Sequence, residues 1–509
     1  MMTRECGLKT AFWAAALMSR VAFGGIGISA DHENGLLRLG VLSDLHLSFP
    51  STEVTFEHAL RWFDAQKADA VVVCGDLTDW GLEPQLQLVA DTWFRVFPEN
   101  CRSDGAPIEK LFIYGDHDTG LDPKTLERHV PDAAGRKRLS IPENDRKAIW
   151  ERCFREPWAP IQLKDVKGYK FLLYHFNVTQ PSGDRSDWEY GQHAWDLPEY
   201  LATYAKELRG PRPFFYVQHR IPKGTAGGEW IWGQDDGFSS ETLASYSNCV
   251  VFCGHSHAMG TDDRNVWQKA FTSIEVPSLS YLTTFCGREN GFGLWDGDFS
   301  AENAKDIWPS KQMQKLDVGS ETRPVARHGY LVEVFSDRLK VERRCFVTDR
   351  RLGSEWSIPL KASAESPYAH EMRAKHDPAP EFPLGAEAKV VLAKGRDRYG
   401  AETDQFVVTF PPAASTVCTP RAYDYEVQPV LVKCGQRRFA TAKRVYSPGI
   451  LCAEEMDCEP VSCVFSRTEI PADVDFYEFV VTPFNAFGRG GRSLTVRFTV
   501  GCHDDSEGT

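Results

Sequence analysis

Residues 111–120 read LFIYGDHDTG: an apolar run from Leu111 to Tyr114, then Gly115, then Asp116, His117 and Asp118 side by side. A Gly-Asp pair after an apolar run is an ordinary turn signal. The same arrangement recurs, however. LRLGVLSDLH (37–46) ends in Asp44 and His46, and DAVVVCGDLTD (69–79) ends in Asp76 and Asp79. PFFYVQH (213–219) ends in His219, and NCVVFCGHSH (248–257) ends in His255 and His257. Short apolar runs rich in β-branched residues and bounded by glycine read as strands buried on both faces. Between them, Phe56, Leu60 and Phe63, and again Leu197, Leu201, Tyr204 and Leu208, keep one apolar face at helical spacing. Strands alternating with helices predict an α/β (α+β) core with a largely parallel sheet and flanking helices. In such sheets the ligand site lies beyond the carboxyl ends of the strands, which is where all five polar clusters fall.

At 509 residues the chain is too long for one ordinary core, so two domains are expected. Its composition, 42% hydrophobic and 25% charged, is that of a soluble globular protein, and beyond the N-terminus no stretch is apolar enough for a stable membrane span. A formal charge of −13 repels a phosphate backbone, which argues against duplex nucleic acid as a partner. Arg4 and Lys9 precede the apolar stretch Ala11–Met18, and small residues follow to Ala30, so residues 1–30 resemble a secretory signal peptide. Arg20 interrupts that region and leaves an uncleaved anchor or a mistaken start as alternatives. The expected location is secreted, periplasmic or extracellular. Of fourteen cysteines, six (Cys418, Cys434, Cys452, Cys458, Cys463, Cys502) fall late in the chain, an even count that fits disulfides. Cys74 and Cys253 sit in apolar runs and read as small buried hydrophobes.

A general acid/base pair needs two ionisable groups, and a Ser-His-Asp triad needs a nucleophile that these strand ends do not clearly supply. Clustered carboxylates and imidazoles instead suit transition metals, and a bridging carboxylate can hold two of them roughly 3.5–4 Å apart. The order DLH, GDLTD, GDHD, VQH and GHSH, within about residues 36–345, resembles the calcineurin-like metallophosphoesterases, which show Asp-x-His, Gly-Asp-x-x-Asp, Gly-Asn-His-Asp/Glu, His and Gly-His-x-His. That resemblance implies a layered β-sheet core and a hydrolase of small phosphate esters. It also implies two divalent or trivalent metal ions (Mn, Zn, Fe or Ni) with a bridging hydroxide as nucleophile. Carried over residue by residue, Asp44, His46 and His257 would hold one metal and Asp116, His219 and His255 the other, with Asp76 bridging. His117 would sit near the leaving group, oriented by Asp79.

Two positions depart from the family pattern. Asp116 stands where the family usually has Asn, which adds a negative charge that should tighten metal binding and oppose a phosphate dianion. Asp79 stands where purple acid phosphatases have a Tyr ligand, so the chain does not resemble an iron(III)-tyrosinate enzyme. Phosphomonoester hydrolysis is the expected activity. The alternatives are a phosphodiesterase acting on cyclic nucleotides or nucleotide-linked substrates, and a secreted binding protein with an inactive site. Other residues carry two readings. Trp230 and Trp232 either cap the pocket and stack on a base or sugar, or pack against their own loop. Arg220 and Lys223 either meet phosphate or face water. His175 reads as a hydrogen-bonded core residue and Asp118 as a residue that orders its loop.

Residues 329–347 alternate like an antiparallel hairpin that closes the catalytic unit, taken as 36–362. The Pro-containing stretch 363–384 reads as a linker, and 385–503 as a β-sandwich whose last hairpin resembles a fibronectin type III domain, suited to contacting a surface or polymer. Every candidate ligand precedes residue 260, so catalysis is expected to survive removal of the C-terminal part.

Overall fold

The computed structural model describes residues 36–47, 50–119, 143–176, 196–227, 233–282, 287–289, 326–397, 400–414, 422–447 and 460–499. The segment read as a signal peptide, Trp230, Trp232, Cys418, Cys452, Cys458 and Cys502 all lie outside these residues.

The five apolar runs are strands, divided between two sheets. In the first sheet β1 (Leu37–Leu42), β2 (Ala70–Val73) and β3 (Glu109–Phe112) run parallel. In the second, β4 (Ile161–Val166) leads antiparallel into β5 (Tyr169–Tyr174), beside which β6 (Phe214–Val217) and β7 (Cys249–Cys253) run parallel. β8 (Val266–Gln268) and β9 (Thr272–Glu275) complete that sheet, in the order β4-β5-β6-β7-β9-β8. The hairpin expected over 329–347 is present as β10 (His328–Val334) and β11 (Arg338–Cys345), with β10 laid antiparallel against β1. β12 (Arg350–Arg351) and β13 (Trp356–Pro359) both pair with β11.

The largely parallel sheet that the sequence suggests is therefore two mixed sheets: in the first, β1, β2 and β3 are a parallel end and the strands beyond β1 are antiparallel, and in the second a parallel centre lies between antiparallel edges. Their inner faces meet in one core: Leu39 and Val41 of β1, Val72 of β2, Phe215 and Val217 of β6, and Val250 and Phe252 of β7. The outer face of the first sheet is covered by α1 (Pro50–Ala65), α2 (Glu83–Val96) and α3 (Glu143–Phe154), with Phe56, Leu60, Phe63, Trp93 and Trp150 buried against Val71 and Val73. The outer face of the second sheet is covered by α4 (Leu197–Thr203), α5 (Ala205–Leu208) and α6 (Phe238–Leu243), which contribute Leu197, Leu201, Leu208 and Leu243. Layers on both faces explain why the strands read as unbroken apolar runs. Among the described residues, no helix is long and apolar enough to cross a membrane.

Residues 363–384 contain α7 (His370–His376) and pack closely on the first unit. Tyr368 belongs to the core between the sheets, and Ser366 hydrogen-bonds Gln268. Beyond them are two antiparallel sheets. One is β14 (Lys389–Arg396), β15 (Glu402–Phe410) and β19 (Val461–Ser466); the other is β16 (Asp424–Lys433), β17 (Gln436–Phe439), β18 (Lys443–Tyr446), β20 (Phe476–Phe484) and β21 (Leu494–Thr499). Phe406, Val408 and Phe465 from the first meet Tyr425, Tyr477 and Phe479 from the second in a shared core. The disulfide expectation fails at both late cysteines that are described. Cys463 is a free thiol buried in that core, where burial raises its pKa to about 12, and Cys434 is free and exposed. Cys74 and Cys253 are buried as expected.

The C-terminal sheets also reach the catalytic unit. The Arg288 guanidinium is buried, 2.9 Å from Asp424 and 2.9 Å from Glu426, and lies 3.6 Å from the Phe484 ring centroid. Met259 and Leu282 share a cluster with Tyr423, Tyr446 and Ala486. Because Met259 lies two residues beyond His257, removing the C-terminal part would uncover a segment next to the site. Ligand positions alone do not reveal this contact.

Candidate metal centre

The side chains at the five strand ends converge. Asp44, His46, Asp76 and His257 form one group and Asp76, Asp116, His219 and His255 a second, each with its ligand atoms within 4.8 Å of one another. Asp76 is common to both. The grouping coincides with the division that the resemblance implies, and Asp76 is the residue the two groups share. Five of the seven residues adopt positive φ: Asp44 at 51°, His46 at 43°, Asp76 at 50°, His255 at 76° and His257 at 56°. Such conformations are uncommon for residues other than glycine and cluster where a site over-determines the backbone. The glycines of the motifs have a steric cause. A Cβ on Gly115 would overlap the Asp76 backbone and carboxylate, and one on Gly254 would overlap Ser43 and Asp44.

Hydrogen bonds around the rim set the imidazole tautomers. His219 Nδ1 lies 2.8 Å from the Cys74 carbonyl and His257 Nδ1 3.1 Å from the Tyr281 carbonyl. A carbonyl only accepts, so both Nδ1 atoms carry hydrogen, and in the neutral rings Nε2 presents a lone pair. His46 Nδ1 is likewise held by Asp79 Oδ1 at 2.9 Å. His46 Nε2 then faces His257 Nε2 across 3.2 Å, and His219 Nε2 faces His255 Nδ1 across 3.1 Å. The two Nε2 lone pairs of His46 and His257 repel at that distance unless a proton or a cation lies between them.

The carboxylates show the same need. Asp44 Oδ1 and Asp76 Oδ2 are buried and accept no hydrogen bond, although imidazole nitrogens lie 3.2 Å from the first and 3.3 Å and 3.6 Å from the second. Burial would raise the pKa of Asp44, but His257, His219 and His46 hold it well below the usual carboxylate range. Burial of Asp116 is likewise overcome by His255 and His219. Ionised carboxylates, inward lone pairs and unpaired buried oxygens are the donor set of a cation site, and the residues fit two cations.

Asp79 and His117 are adjacent, with a division of labour that the sequence does not show. The Asp79 main-chain carbonyl accepts from His117 Nδ1 at 2.9 Å, whereas its carboxylate orients His46. His117 is exposed at the mouth, its ring 4.7 Å from that of His46. Partial burial opposes its charge, yet Asp76 and Asp116 lift its pKa to about 9. Arg220 is buried, its guanidinium 5.7 Å from the Phe176 ring centroid, while Lys223 is exposed. His175 stays in the core: its Nδ1 accepts the Tyr114 N–H at 3.0 Å, and burial pushes its pKa down to about 3.

Residues 37–259 match the family model for calcineurin-like phosphoesterases. This region is a calcineurin-like phosphoesterase domain. A dimetal phosphatase from Danio rerio is similar in structure, at 10% identity over 65% of this chain and 100% of its own, with a TM-score of 0.39. GAP50, the anchor in the inner membrane complex of Plasmodium, aligns at 12% identity over 64% and 89%, with a TM-score of 0.35. The purple acid phosphatase PPD1 of yellow lupin (Lupinus luteus) aligns at 11% over 65% and 56%, with a TM-score of 0.31. No curated protein sequence matches the chain. The family and the two side-chain groups together imply a dinuclear metal site in the phosphoesterase domain.

Three contributors to this site carry no motif. Tyr281 lies against His257, ring centroids 4.0 Å apart. Glu275, buried at the end of β9, hydrogen-bonds Ser256 between His255 and His257, and burial pushes its carboxyl pKa well up. Ser278 Oγ donates to the Asp44 carbonyl at 3.0 Å. Asp118, read as a residue that orders its loop, accepts from the N–H groups of Leu77 (2.9 Å), Thr78 (2.8 Å) and Gly115 (2.8 Å). It thereby ties the GDLTD and GDHD loops together. Each stranded buried donor costs about 1–3 kcal/mol, so Asp118→Ala is expected to lower stability by about 3 kcal/mol or more. A chemical-denaturation midpoint equal to wild type would contradict this.

Proposed function

We propose that the phosphoesterase domain hydrolyses small phosphate esters at a two-cation centre, with phosphomonoesters as preferred substrates. The observation that carries this reading is the pair of ligand groups sharing Asp76 at the carboxyl ends of five strands. Asp44, His46 and His257 would hold one cation, Asp116, His219 and His255 the other, and Asp76 both. Cations held there would acidify a water and polarise the phosphoryl oxygens. The protein's own part is positioning. Asp79 fixes His46 through its carboxylate and His117 through its carbonyl, leaving His117 Nε2 to pass a proton to the departing alcohol. The expected cations are drawn from Mn, Zn, Fe and Ni.

Asp116 favours a second reading, diester hydrolysis. Its carboxylate stands 2.9 Å from His219 Nε2 and 3.1 Å from His255 Nδ1, where it adds charge beside the incoming phosphate. A monoester dianion meets more of that repulsion than a diester. Asp116→Asn is therefore expected to raise monoester turnover relative to diester turnover, measured as the kcat/KM ratio for 4-nitrophenyl phosphate and bis(4-nitrophenyl) phosphate. An unchanged ratio would remove Asp116 as a determinant of selectivity. Failure of the wild-type chain to hydrolyse either ester with any of the four metals would favour a binding protein. The early segment with Arg4 and Lys9 supports export, and the C-terminal β-sheets, read as a fibronectin type III-like module, would serve contact with a surface or polymer.

A further inference from the structure

After β9 the chain turns back across the mouth of the site. Leu279 N–H donates to the Ser43 carbonyl at 3.0 Å. Ser278 Oγ accepts from the N–H groups of Ser280 (3.0 Å) and Tyr281 (3.2 Å) while donating to the Asp44 carbonyl. Tyr281 is thus pinned to the strand end that presents Asp44 and His46. Its carbonyl accepts from His257 Nδ1, and its ring lies 4.0 Å from the His257 centroid and 5.5 Å from that of His46.

The phenol is half-buried, and among the described residues its O–H makes no hydrogen bond. A tyrosine held this firmly in a half-buried place ordinarily finds a partner for its O–H. Its electrostatic surroundings are the carboxylates of the site. A phenol is a neutral donor near pH 7. A neutral donor beside His46 and His257, which repels no anion, is suited to an anionic oxygen.

We propose that the Tyr281 phenol is a catalytic residue that donates a hydrogen bond to a phosphoryl oxygen of the substrate. The proposal rests on the phosphate-ester reading above and deepens it. The competing role is a wall that only packs His257, and Tyr281→Phe separates the two because it keeps the ring and removes the donor.

The test uses the full chain, metal-loaded, as wild type and Tyr281→Phe. Metal content by elemental analysis and melting temperature are expected to match wild type. The kcat/KM values for 4-nitrophenyl phosphate and bis(4-nitrophenyl) phosphate are expected to fall about tenfold to hundredfold, as for a lost hydrogen bond to a charged group. Calorimetric binding of inorganic phosphate should weaken in parallel. Phosphate affinity and kcat/KM within twofold of wild type would overturn the proposal, as would a loss of bound metal that accounts for the whole effect. If the wild-type chain hydrolyses neither ester, the phosphate-ester reading fails separately, and phosphate binding still decides the role of Tyr281.

Discussion

Asp76→Asn is expected to strip both cations from the chain and to lower hydrolysis by on the order of a thousandfold or more, as when several kcal/mol of transition-state charge stabilisation are lost. The substitution is chosen to spare the fold. Asp76 has φ 50°, a conformation that Asn tolerates far better than Ala. Its Oδ1 accepts the His117 N–H at 3.0 Å, a bond that an amide oxygen can keep. What disappears is the negative charge at the one position common to both groups, together with Oδ2, the buried oxygen that accepts no hydrogen bond. Elemental analysis and turnover on the same sample would check the result. Two cations still bound to the variant would show that Asp76 does not bridge.

Gly115→Ala should be nearly as damaging, for a steric reason. A methyl group there would overlap both the backbone nitrogen and the carboxylate of Asp76, and Gly115 N–H is held by Asp118. The loops cannot separate without breaking the Asp118 bonds that join them. Overpacking of this kind costs about 3 kcal/mol when the neighbour cannot yield, and here the neighbour is backbone. The expected outcome is a lower denaturation midpoint together with weaker metal binding. A Gly115→Ala variant that unfolds at the wild-type midpoint with both metals bound would mean that the two loops are less tightly packed than described.

Much of this was legible because strand ends carry local signals. Apolar runs closed by a polar cluster, in three cases Gly-Asp or Gly-His, mark both the strand and the place where its polar residues emerge, and all seven candidate ligands lie just beyond such runs. Pairing was not legible, since a run buried on both faces does not record which strand lies beside it. The division into two sheets therefore came only from the structure. Asp79 illustrates a finer limit: its proximity to His117 was expected, but not that the contact is made by its carbonyl while its carboxylate serves His46. Tyr281 and Glu275 lie in no motif: Glu275 reaches the site from the end of β9, beside β7, and Tyr281 through the return of the chain after it. The contact between Arg288 and Asp424 joins residues 136 apart in sequence, and no periodicity encodes it.

Titration of metal-free full-length chain with Mn or Zn, following bound metal and hydrolysis of a 4-nitrophenyl ester together, decides whether the chain holds a two-cation phosphoesterase centre. Binding is expected to saturate at two cations per chain, with turnover appearing as the second site fills. Saturation at one cation or none, with no turnover, would contradict it.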